Sequence, residues 1–166
     1  MAQALSLSLA AAILLCGCSG RLPQSGVSSQ EARRFSLTRS RAGEIEWKLD
    51  SPKAILNESV SKAKVETPLI ALYKDGKPET EARSMEGEID LRTQDMDLSG
   101  SVVVINKTDH ITLKTDQLRY VSTEKQFQTD RPVEIDRPDG VMHGRGLTAS
   151  QDLSTIHVMH QETRAR

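Results

Sequence analysis

Aromatic side chains are scarce in this 166-residue chain: Phe, Tyr and Trp together make up 3%, with a single tryptophan. A core cannot be built on stacked rings here, so it falls to Leu, Ile, Val, Met and Ala. Cysteine is confined to Cys16 and Cys18, which leaves everything after them without a disulfide. That remainder must hold together by sheet pairing and aliphatic burial, which a domain of roughly 120 residues can do. Charge of one sign is lacking as well. The 22 basic and 23 acidic residues are interspersed and net to −1, which argues against a nucleic-acid partner. No stretch after residue 42 carries a 3.6-residue apolar period, so helices are not expected there. No G-x-S-x-G nucleophile turn is present, and no catalytic constellation is legible.

Charge is also missing from the first twenty residues, MAQALSLSLAAAILLCGCSG; the first charged side chain is Arg21. The apolar run from Leu5 to Leu15 has the length of a signal-peptide core and is short for a membrane-spanning helix. Leu15-Cys16-Gly17-Cys18 resembles a bacterial lipobox in which a small residue precedes the lipidated cysteine. Gly17 suits that position, so Cys18 is the expected lipidation site. Residues 1–17 then form the signal peptide. Residues 18–42, polar and rich in Ser, Arg and Gln, are expected to be the lipidated N-terminus and a flexible tether. A folded domain is expected over 43–160 and a polar tail over 161–166.

The domain announces itself most clearly between Ala82 and Asn106. Met85, Gly87, Ile89 and Leu91 alternate with Glu86, Glu88, Asp90 and Arg92; after Thr93-Gln94-Asp95 the alternation resumes with Met96, Leu98, Gly100, Val102 and Val104. Period-two patterning around a short polar break predicts a β-hairpin with one aliphatic and one charged face. Glu86, Glu88 and Asp90 fall on the charged side and read as a solvated face. Further strands are expected at Glu44–Leu49, at Val65–Tyr73 with Pro68 at an edge or bulge, at Ile111–Thr115, at Leu118–Tyr120, at Val133–Ile135 and at Thr155–Met159. Asp75-Gly76 and Asp139-Gly140 mark tight turns. Trp47 lies on the apolar side of the first of these strands and is expected in the core.

Gly144-x-Gly146-x-x-Ala149 matches a dinucleotide-binding turn in letters only. It precedes a strand rather than a helix, so its glycines are expected to allow a bulge or a close backbone approach. The four histidines are scattered and form no metal-ligand set. No cofactor is expected.

Taken in order, the segments resemble a known family. They are Gly43…Trp47-x-Leu49, Ala54, Pro68-Leu69-Ile70-Ala71-Leu72-Tyr73, Ala82…Gly87-x-Ile89-Asp90, Leu98-Ser99-Gly100-x-Val102, Leu113-x-Thr115-x-x-Leu118-x-Tyr120, Thr129-x-x-Pro132-Val133 and Gly144-x-Gly146-Leu147. Their series is similar to LptC, the membrane-anchored periplasmic component of lipopolysaccharide export. The resemblance implies an all-β fold, a single open and twisted β-jelly roll of antiparallel strands. It implies a non-enzymatic carrier that receives lipopolysaccharide from the inner-membrane transporter LptB, LptF and LptG and passes it to LptA. It places the chain on the periplasmic side of the inner membrane of a Gram-negative bacterium, here through a lipid anchor.

Under that resemblance, Ile70, Leu72, Ile89, Leu91, Leu98, Val102, Val104, Leu113 and Leu118 are expected to line the lipid groove. Gly87 and Gly100 are expected where the roll bends. The strand Thr155, Ile156, His157, Val158, Met159 is the expected LptA-binding edge, and Ile45, Trp47 and Leu49 mark the expected transporter-binding edge. Two alternatives remain: an LptA-like bridging protein, or a structural envelope lipoprotein with a closed β-sandwich.

Overall fold

The computed structural model describes residues 29–162. The signal peptide, Cys18 with its lipobox, the start of the tether and the final residues lie outside the described residues. The rest is β-structure throughout, apart from one 3₁₀ turn at Glu58–Val60. Eleven strands form a single antiparallel sheet: β1 (Ser29–Arg41), β2 (Glu44–Asn57), β3 (Lys62–Glu66), β4 (Leu69–Lys74), β5 (Lys77–Arg83), β6 (Glu86–Asp90), β7 (Met96–Asn106), β8 (Ile111–Val121), β9 (Gln126–Arg137), β10 (Gly140–Ser150) and β11 (Ile156–Glu162). The all-β antiparallel roll implied by the sequence is therefore the fold.

The registers reveal a simpler plan than eleven strands suggest. β3 and β4 lie end to end beside β2, with Lys53 opposite Glu66 and Asp50 opposite Leu69. β6 and β5 lie end to end beside them and beside β7. The sheet is thus a meander in which each track pairs with the next in sequence, and β1 and β11 are its two edges. The expected hairpin is β6–β7, with Ile89 opposite Met96 and Gly87 opposite Leu98. Asp75 and Gly76 take φ of 51° and 74°, the positive values a tight β-turn requires.

All tracks are interrupted at one level. The ladder shifts register between Ser99 and Val102, between Thr115 and Arg119, and between Arg145 and Leu147. At the same level β2 exchanges β4 for β3 as its partner around Ser51-Pro52. Positive φ at Arg34, Thr67, Gly100, Ser101 and Gly146 falls on this line. A row of bulges bends a sheet, and here it folds the sheet into two leaves. The first leaf carries β4, β5 and the halves of the long strands that bear Trp47, Val104, Leu113 and Ile135. The second carries β3, β6 and the halves that bear Ala54, Leu98, Tyr120 and Phe127. Between them lies one apolar cluster in which these eight residues are all at most 2% exposed.

The bend removes backbone carbonyls from the ladder, and buried hydroxyls take them up. Ser51 Oγ lies 2.7 Å from Glu66 O, Ser84 Oγ donates to Glu86 O at 2.7 Å, and Thr115 Oγ1 donates to Pro132 O at 2.9 Å. All three residues are buried. Unpaired buried carbonyls are costly, so these polar residues belong at positions that period-two patterning would assign to aliphatics.

The bend also explains where the structure departs from the sequence expectation. Inward positions shift phase across it, from Thr115 to Leu118, so Ile111–Thr115 and Leu118–Tyr120 are one strand, β8. Phe127 and Val133–Ile135 likewise join in β9. Val65–Tyr73 is divided into β3 and β4 by Thr67-Pro68. Gly100 bends, but Gly87 does not; it makes room, since a Cβ there would stand 3.0 Å from Val65 Cγ2 and 3.2 Å from Leu98 Cδ2. Met85, expected on the aliphatic face, is 61% exposed because it sits at the break between β5 and β6. The largest difference is Ser29–Arg41, assigned to the tether but paired along the whole of β2 as β1. Its Ala32, Phe35 and Leu37 pack against the core, a sparse apolar pattern that the intervening arginines and serines obscure.

Thr115→Val keeps the volume but strips Pro132 O of its donor. Urea denaturation should show a loss of about 1–3 kcal/mol; an unchanged midpoint would mean the hydroxyl plays no part in the bend.

Candidate functional site

The interior between the leaves is built from rows that run across the strands. In the first leaf Leu49, Ile70, Ala82, Val104, Leu113 and Ile135 stand opposite one another in succession. In the second leaf Ala63, Ile89, Met96, Tyr120, Phe127 and Ala149 do the same. Tyr120 and Phe127 contribute the one aromatic pair, with ring centres 5.3 Å apart.

Eight of the nine expected groove residues lie in this interior: Ile70, Leu72, Ile89, Leu98, Val102, Val104, Leu113 and Leu118 are each at most 2% exposed. They pack against one another in the apolar cluster between the leaves, and of the eight Leu98 and Leu118 also border an open cleft. Leu91 is the exception. It lies in the turn after β6, half-buried, with its N–H donating to Ser61 O. A cleft of about 940 Å³ opens on the second leaf. Two of the expected groove residues, Leu98 and Leu118, border it with Val65 and Leu147, and the charged Lys64, Glu88, Asp97 and Arg119 alternate with them along its walls.

The leaves are joined at the bend, and opposite the bend they meet at a lip. There the contacts are polar. Arg39 Nη1 donates to Ser122 Oγ at 2.7 Å, and its Nε lies 2.7 Å from Glu46 Oε2. Lys125 Nζ lies 3.2 Å from Glu46 Oε1. Lys74 Nζ reaches Asp152 Oδ2 at 3.3 Å, and the buried Asn106 amide donates to Asp152 O. The β1–β2 and β4–β5 ends of the first leaf are thereby held to the β8–β9 turn and the β10–β11 connection of the second.

The lip carboxylates are tuned for this. Burial works to raise Glu46, but the Lys125 hydrogen bond and the charges of Lys125 and Arg39 outweigh it and hold the group below its ordinary value. Burial likewise opposes ionisation of Asp152, and hydrogen bonds from Ser150, Ser154 and Lys74 overcome it, leaving the group far below the carboxylate range. Burial, reinforced by the negative charge of Glu46, pushes the Tyr120 phenol up to about 12. It therefore stays protonated and donates to Gln151 Oε1 at 3.0 Å.

The two edges differ from expectation in one respect. β11 is a sheet edge, as anticipated for Ile156, His157, Val158 and Met159; Thr155 lies just before it and the strand continues to Glu162. β2 is not an edge. Trp47 and Leu49 are at most 1% exposed, Ile45 is 39% exposed, and the strand is flanked by β1 and by β4 and β3. The free edge on that side is β1. The glycines of β10 do what the motif suggested. Gly146 takes a φ of +75° at the bend, and Gly144 lets β11 approach: a Cβ there would stand 2.4 Å from Val158 Cγ1 and 2.8 Å from His160 O.

Among the described residues, no helix is long and apolar enough to cross a membrane. The family model described as lipopolysaccharide-assembly, LptC-related, matches residues 23–165. No curated protein matches the chain.

Two measurements check this geometry. Gly144→Ala should drive β11 off the sheet, so that its amides lose hydrogen-exchange protection while those of β8 keep theirs; equal protection in both forms would refute the close approach. Asp152→Asn should cost about 1–2 kcal/mol at neutral pH. A carboxylate whose folded pKa is depressed contributes its full stability above the unfolded value of about 4 and loses it as pH falls toward the folded value. The wild-type and Asn forms should therefore stay separated across the neutral range, and their denaturant midpoints should begin to converge only below about pH 4.

Proposed function

The chain belongs to the LptC-related family of lipopolysaccharide assembly, and on that premise we propose that it carries lipopolysaccharide between its two leaves, from the LptB, LptF and LptG transporter toward LptA. Family membership supports a role in lipopolysaccharide transport, and in the proposed reading that role is non-enzymatic and lies in the Gram-negative envelope. The finer reading concerns route and partners. Cys18 is the lipidated residue that ties the domain to the periplasmic side of the inner membrane. β11 is the edge to which LptA adds a strand, and β1, not β2, is the edge that faces the transporter. Unpaired backbone groups on a sheet edge are suited to both unions.

One observation carries the reading: a largely apolar interior is closed on one side by the continuous sheet and on the other by the lip, whose cross-leaf bonds are polar and which Leu153 plugs. When the lip parts, acyl chains can replace the contacts the leaves make with each other. Each CH₂ taken from water is worth about 0.8 kcal/mol. Such contacts are non-directional, so a chain can slide along the rows. The energy for directed movement comes from the transporter's ATP hydrolysis.

The filled interior also favours a second reading, a structural envelope lipoprotein whose sandwich never opens. A photo-reactive residue placed at Val102 or Val104 separates the two in cells. Capture of lipopolysaccharide at these positions is the expected result. Arg39→Cys with Ser122→Cys, bridged by a cleavable thiol crosslinker, should abolish capture, and cleavage should restore it. No adduct at any of several interior positions, with or without the bridge, would leave only the structural role.

A further inference from the structure

Two buried donors in the interior have no partner among the described residues: Trp47 Nε1 and Thr80 Oγ1. Both residues are 1% exposed. The third orphaned side-chain atom, Arg137 Nε, belongs to the far end of β9.

The pair shares one row of the first leaf. Trp47 stands opposite Leu72, Leu72 opposite Thr80, and Thr80 opposite Asn106. Three strands at about 4.8 Å spacing put the two backbones roughly 10 Å apart on the same face. Asn106, next in the row, is fully engaged: its amide nitrogen donates to Asp152 O, and its oxygen accepts from the amides of Thr108 and Asp109. The neighbouring row toward the bend is wholly aliphatic, from Leu49 to Ile135.

An unpaired buried donor costs about 1–3 kcal/mol, whereas valine at 80 and phenylalanine at 47 would fill similar space without that cost. The donors share their row with two lip residues, since Arg39 stands opposite Trp47 and Asn106 opposite Thr80. A ligand that satisfies this arrangement has acceptor oxygens at the lip and a hydrocarbon tail running toward the bend.

We propose that Trp47 Nε1 and Thr80 Oγ1 form a two-donor subsite for the linkage oxygens of an acyl chain, its ester, amide or hydroxyl oxygens, with the chain directed toward the bend. The proposal rests on the carrier reading above, and it fixes which way the lipid lies: polar linkage at the lip, methyl end at the bend.

Trp47 is the only tryptophan and so its own reporter. Methyl myristate and pentadecane, presented to the full chain in detergent, serve as probes with and without the linkage oxygens. The ester should bind and shift the tryptophan emission to longer wavelength, whereas pentadecane should bind with no such shift. Thr80→Val should weaken the ester about tenfold, leave pentadecane unaffected, and keep or raise Tm, because it deletes an unpaired hydroxyl. Thr80→Ser should recover the ester affinity. Equal binding of both probes with no emission shift would overturn the subsite and leave the carrier reading standing. A lower Tm for Thr80→Val would show that the hydroxyl is already paired in the free protein, which also overturns it. Failure of both probes to bind would overturn the subsite together with the carrier reading.

Discussion

A sheet with one apolar face must cover that face, and among the described residues there is no α-helix or second sheet to do it. The constraint is met by folding the sheet across its own strands. Every track must therefore break its ladder at the same level, and everything else follows from that line. It fixes the bulges in β7, β8, β9 and β10, the exchange of β4 for β3 beside β2, and the buried hydroxyls of Ser51, Ser84 and Thr115. It also decides that the interior is a hinged space, continuous on one side and merely touching on the other. A sandwich of two separate sheets would have no such asymmetry.

This explains what could be read from the sequence. Alternation is a local signal, and it identified the β6–β7 hairpin, the inward face of β2 and the Asp75-Gly76 turn wherever a strand stays on one side of the bend. Crossing the bend consumes three or four residues between inward positions, as from Thr115 to Leu118 or from Leu98 to Val102. The period then fails although the strand continues, and β8 and β9 were each legible only as fragments. β1 failed for a different reason. An edge strand buries little, and Ser29–Arg41 places only a few apolar side chains on the core among four arginines. The expected groove residues were correctly placed on the inward face, because parity alone settles that. Whether an inward face meets solvent, lipid or another leaf is a property of the whole sheet, and no local pattern carries it.

The polar residues of the interior were the least legible. Glu46, Tyr120 and Asp152 come together from β2, β8 and the β10–β11 connection, and Trp47 with Thr80 from β2 and β5. None of these pairs has a spacing that marks it. A tryptophan on an aliphatic strand reads as a core anchor, and a threonine among strand residues reads as a β-former. Only the register shows that they share a row, and only burial shows that their donors lack partners.

The lip has one more consequence, a matter of chain entropy. Nearly every other contact in the meander joins neighbours in sequence, so each hairpin can add to the last. The lip instead joins residues 83 apart at Arg39 and Ser122 and 78 apart at Lys74 and Asp152. Closing such loops costs entropy that short hairpins do not incur, and the part-buried polar bonds of the lip must offset it. Such contacts are expected to form after the leaves are assembled and to open while the hairpins on either side stay intact. The roll can gape at its mouth without unfolding.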